Sequence, residues 1–82
     1  MKPSQEVMNY LRSRNGTGPF WNADWEVRLG VLRELDRLCR DDPKERILSN
    51  AYNELLNELR TTAKSAAVMR SLGEGAKKLL GI

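Results

Sequence analysis

From Lys44 to Leu72 the chain contains neither glycine nor proline. A stretch free of both breakers, rich in Leu, Glu, Arg and Ala, constrains this sequence more than any other feature, because it favours helix over every alternative. Nowhere in the chain do Val, Ile, Thr and aromatic residues alternate as a half-buried strand requires, and the apolar positions recur at three- and four-residue intervals instead. The expected fold class is therefore all-α, a single helical domain over residues 1–82. Three main helices are expected, the last one long and open to a break near Thr61-Thr62, with a short C-terminal helical turn after them.

Each expected helix has its own local signals. Pro3 and Ser4 open the first, with Ser4 as N-cap, an apolar side of Val7, Met8, Tyr10 and Leu11, and Asn15-Gly16 as its stop. Gly16 to Trp21 is a connection in which Gly18 is free to adopt positive φ and Pro19 fixes its own. Asn22 is the expected cap of the second helix, with Asp24 and Glu26 in the first turn, where the helix dipole favours acids. Its apolar stripe is Trp25, Leu29, Leu32, Leu35 and Cys39, widened by Val31 and Leu38. Arg33 with Asp36, Asp36 with Arg40, and Arg37 with Asp41 form a charged outer face.

Asp42-Pro43-Lys44-Glu45 has the pattern of a capping box with proline at the first helical position, so the third helix is expected to start there. Its seam, Leu48, Tyr52, Leu55, Leu59, Thr62, Ala66 and Met69, follows heptad spacing, with Ala51, Leu56 and Ala63 on the flank. The second half of this seam is made of small side chains. An unbroken helix would reach about 45 Å against about 27 Å for its predecessor, leaving apolar surface for something else to cover. A homodimer through the long helices is the economical solution. A bundle of four or five short helices, or a fold-back at Thr61-Thr62, is the alternative.

The chain has 82 residues, no histidine and one cysteine. The commonest general base and the commonest metal ligand are thus both missing, and Cys39 lies on an apolar helix side as a small hydrophobe. GTG at Gly16 to Gly18 and GEG at Gly73 to Gly75 lack the strand before and the Lys-Ser/Thr after that a phosphate-binding loop needs. No enzymatic activity, cofactor, metal or small-molecule substrate is expected. With a lone cysteine, no apolar run of membrane-spanning length and no signal-peptide core, the expected location is the cytoplasm, away from membranes.

Two binding constellations remain. Three of the five aromatic residues, Phe20, Trp21 and Trp25, stand beside one loop. They either clamp the first helix onto the second, with Trp21 as a staple ahead of Asn22 and Trp25 in the core, or offer an aromatic hot spot to a partner protein. Phe20 and Trp21 in the loop, with Tyr52 and Leu59 on the helix seam, are the candidate partner-binding residues of a small regulatory or adaptor protein. The second constellation is electrostatic. Residues 21–46 are balanced in charge, whereas from Arg60 onward five cations, Arg60, Lys64, Arg70, Lys77 and Lys78, face Glu74 alone. These five are the candidate contacts of an alternative function, nucleic-acid binding, through phosphates and without base readout. The plain alternative is a solvated helix face.

Overall fold

The computed structural model describes residues 4–13 and 18–82, apart from the side chains of Ala66 and Ala67. The expected roles of Pro3, Asn15 and Gly16, and the small side chains at positions 66 and 67, lie outside the described residues. The protein is all-helical, with no strand among the described residues. In chain order its helices are α1 (Gln5–Arg12), a 3₁₀ turn (Pro19–Asn22), α2 (Trp25–Asp41), α3 (Arg46–Ala63), α4 (Ala66–Ser71) and α5 (Glu74–Leu80). Among the described residues no helix is long and apolar enough to cross a membrane. The chain divides into two compact units, Met1–Tyr52 and Asn53–Ile82.

In the first unit, α1 packs on α2 and on the 3₁₀ turn. Ser4 caps α1 as the sequence implies: its Oγ accepts the Val7 N–H at 3.3 Å. The Ser4 N–H in turn donates to Glu34 Oε2 at 2.6 Å, which ties the start of α1 to the middle of α2. Val7 and Tyr10, three residues apart, form the buried side of α1, and the Tyr10 hydroxyl donates to the Ala51 carbonyl at 3.3 Å. On α2 the buried positions are Leu29, Val31, Leu32, Leu35 and Leu38. Trp25 and Cys39, expected in the same stripe, are only half-buried because they lie at its two ends. Of the expected charged pairs, Arg40 meets Asp36 at 3.0 Å.

The other two expected helix starts in this unit are displaced. Asn22 ends the 3₁₀ turn, whose closing bond runs from the Ala23 N–H to the Phe20 carbonyl at 3.1 Å. Asp24 is the N-cap of α2 instead, and its carbonyl accepts the N–H groups of Val27 and Arg28. The capping box at Asp42 does not form either. Helix α2 persists to Asp41, so Asp42 serves as its C-cap, with its N–H on the Leu38 carbonyl. Pro43 and Lys44 then make a turn in which the Asp42 carbonyl accepts the Glu45 N–H at 3.2 Å, a position that suits proline's fixed φ. Glu45 becomes the local cap of α3: its carboxylate accepts the Ile47 N–H and its carbonyl the Ser49 N–H, both at 3.3 Å.

The expected long helix is two helices, α3 and α4, with the break after Ala63 and so next to the expected Thr61-Thr62, and α5 stands where the short C-terminal helical turn was expected. With α3 at 18 residues and α2 at 17, the two are nearly equal in length, and the disparity that called for a homodimer is gone. The fully buried row of α3 is Ala51, Leu55, Leu59 and Ala63. These recur every four residues, so the row drifts steadily round the helix rather than following the heptad, and Thr62, expected on the seam, faces solvent. Leu48, Tyr52, Leu56 and Met69 are half-buried.

In the second unit the chain leaves α3 through a turn closed by the Ser65 N–H on the Thr62 carbonyl at 3.2 Å, and Ser65 then caps α4. Leu72 and Gly73 join α4 to α5. Leu72 and Leu80 are buried, alongside Leu55, Leu59 and Ala63 of α3. The last helix ends on Gly81 in the left-handed region, φ 74°, with the Ile82 N–H on the Lys77 carbonyl and the Gly81 N–H on the Lys78 carbonyl. That termination needs a residue without Cβ strain. The Arg60 guanidinium of α3 donates to the Leu80 carbonyl at 2.5 Å, placing a cation on the negative end of α5.

Candidate functional site

The aromatic group of the first unit divides into a sealed part and an open part. Gly18 adopts φ 114° and ψ −179°, a conformation essentially confined to glycine. Pro19 then starts the 3₁₀ turn that carries Phe20 and Trp21 back over α1. The Phe20 ring lies 4.8 Å from the Tyr10 ring and 5.0 Å from the Trp21 ring, the latter edge-on at 89°. Trp21 also meets Tyr10 edge-on at 6.1 Å. Each such pair contributes about 0.5–1.5 kcal/mol beyond the burial of its area. Phe20 is 2% exposed and belongs to the interior rather than to a surface.

Trp21 is half-buried, its indole N–H donating to the Ser13 carbonyl at 2.5 Å. Its own carbonyl accepts a hydrogen bond from Arg28 Nη2 at 2.6 Å. The same guanidinium stands 5.6 Å from the centre of the Trp25 ring. Arg28 therefore links two half-buried tryptophans, one in the 3₁₀ turn and one in the first turn of α2. Its Nε is buried with no hydrogen-bond partner, which leaves the guanidinium held by one hydrogen bond and one ring face. The result is a surface of two indoles and an arginine in which the Trp21 N–H and Arg28 Nη2 are already hydrogen-bonded.

The remaining candidates are dispersed. Leu59 is 1% exposed, so it contributes packing and no contact surface; its place in the row of every fourth residue accounts for this. Tyr52 keeps part of its ring exposed. Among the five cations, Arg60 is half-buried and engaged with Leu80, which makes it a fastening of the second unit. Lys64, Arg70 and Lys78 are exposed, and Lys77 is half-buried 3.9 Å from Glu74. Sequence reasoning assigned Trp25 to the core and Arg28 to no role. The signal was present in the three-residue spacing of Trp25 and Arg28 on one helix side.

Among the described residues no group of three or more Asp, Glu, Cys or His side chains is placed to hold a metal. No family model, curated protein or solved structure matches the chain.

Proposed function

We propose that this chain is a small non-enzymatic regulatory or adaptor protein of the cytoplasm, and that it acts by binding another protein through the surface formed by Trp21, Trp25 and Arg28. One observation carries the proposal: both tryptophans are only half-buried while Arg28 joins them. Tryptophan and arginine are the residue types that dominate the energetic centres of protein interfaces. The hydrogen bonds that the Trp21 indole and Arg28 already make reduce the ordering cost that association would otherwise carry. Phe20 and Tyr10 act behind this surface as its support.

The test is recovery of cross-linked partners from cells expressing the tagged chain. Trp25→Ala, with its helix content unchanged by circular dichroism, is expected to abolish recovery of a specific protein that Tyr52→Ala leaves in place. Equal recovery with Trp25→Ala would contradict the proposal.

A second reading rests on the exposure of Lys64, Arg70 and Lys78 in a region with few acids. Such cations suit phosphate contacts without sequence readout. Binding to mixed-sequence duplex DNA that weakens steeply with salt, with a shallower slope for Lys77→Ala and Lys78→Ala together, would favour it. No retention at low salt would remove it.

A further inference from the structure

Gly30 stands in the middle of α2, where glycine costs about 0.5–1 kcal/mol relative to alanine. A Cβ built on it meets nothing within 4 Å. The fold of this chain therefore makes no use of the missing side chain. Gly30 lines a shallow cleft of about 260 Å³, together with Ser4 and Glu6 from the start of α1 and with Val27, Val31 and Glu34 of α2. Val27 is 38% exposed, an apolar edge beside the glycine.

The charges round this cleft state what can lie in it. The helical neighbours of Gly30 at three and four residues are Glu26, Val27, Arg33 and Glu34, and Glu6 adds a further exposed carboxylate from α1. Among these described residues the acids Glu6, Glu26 and Glu34 outnumber the single cation Arg33. A second copy of the chain, crossing antiparallel with its own Gly30 at the contact, would set Glu26 of each copy against Glu34 of the other, a like-charge pairing on both sides of the crossing. A cationic helix meets like charge at Arg33 alone among these neighbours, against the carboxylates of Glu6, Glu26 and Glu34. A glycine at the crossing point also lets the two axes approach more closely than any side chain would.

We infer that the cleft docks a basic amphipathic helix of a partner protein, with a small or aliphatic side chain seated against Val27 and Gly30 and Lys or Arg side chains paired with Glu6 and Glu26. Gly30 lies about 140° round α2 from Trp25, so this surface is distinct from the tryptophan one and does not depend on it.

The experiment uses the full chain and a fluorescent synthetic helix whose leucine–alanine seam is flanked by lysines, with a second helix carrying glutamates in their place. Anisotropy should show saturable binding of the lysine helix that weakens with salt, and none of the glutamate helix. Gly30→Leu fills the cleft and should weaken binding at least about tenfold, while raising the unfolding temperature because leucine is the better helix former. Gly30→Ala should raise that temperature too, and Trp25→Ala should leave the affinity unchanged. Undiminished binding by Gly30→Leu, absence of saturable binding by the lysine helix, or loss of binding in Trp25→Ala would each overturn the inference. So would light scattering that shows a dimer which Gly30→Leu converts to monomer, since the occupant would then be a second copy.

Discussion

Two glycines, Gly18 and Gly30, show how differently the same residue can be used. At Gly18 the backbone has φ 114°, and an added Cβ would come within van der Waals exclusion of the Ser13 side chain. Gly18→Ala should destabilise the chain by about 2 kcal/mol in urea unfolding, from backbone strain together with the clash. Gly30→Ala should do the reverse and stabilise by about 0.5–1 kcal/mol, since the open position gains a better helix former and loses nothing. A loss of stability at Gly30 would show that the α2 backbone depends on it. The freedom of Gly18 was legible in the sequence from the glycine–proline pair alone. The partition between Phe20, which is sealed, and Trp21, which is half-buried, was not, because both are large aromatic residues in one turn.

At the scale of the helices, the main departure from expectation is where they begin and end. Helical periodicity revealed α2 and α3, whose buried residues Leu29, Leu32, Leu35, Leu55 and Leu59 all lie on the expected sides. The boundaries were decided by competition between neighbouring elements. Asp42 and Pro43 form a good start for one helix and an equally good end for another, and α2 takes them first. Near the end of α3, the Thr61 and Thr62 hydroxyls donate back to the carbonyls of Asn57 and Glu58 at 2.9 and 3.0 Å. Such bonds bend and slightly weaken a helix, in keeping with its end at Ala63. The fastening of Arg60 to Leu80 had no sequence signal, because the pair is twenty residues apart. Arg60→Leu should cost about 1 kcal/mol, discounted for partial exposure, and should speed amide exchange at Gly81 and Ile82. Unchanged exchange at these two amides would show that the α5 terminus holds without the guanidinium.

Across the whole chain, 14 basic and 11 acidic residues leave a net charge of +3 that is concentrated after Arg60, whereas the tryptophan surface and the acidic cleft both lie in the first unit. Composition and periodicity were enough for an all-helical protein. They could not place a binding surface, because that depends on which aromatic rings the folded chain seals. The central claim is that Phe20 is structural and Trp25 is offered to a partner. Urea unfolding of Phe20→Ala and Trp25→Ala in parallel tests it most directly. The expected result is a loss of about 3–5 kcal/mol for Phe20→Ala, enough to unfold a domain of this size, against about 1 kcal/mol or less for Trp25→Ala. A loss for Trp25→Ala as large as that for Phe20→Ala would contradict it, because both rings would then belong to the interior.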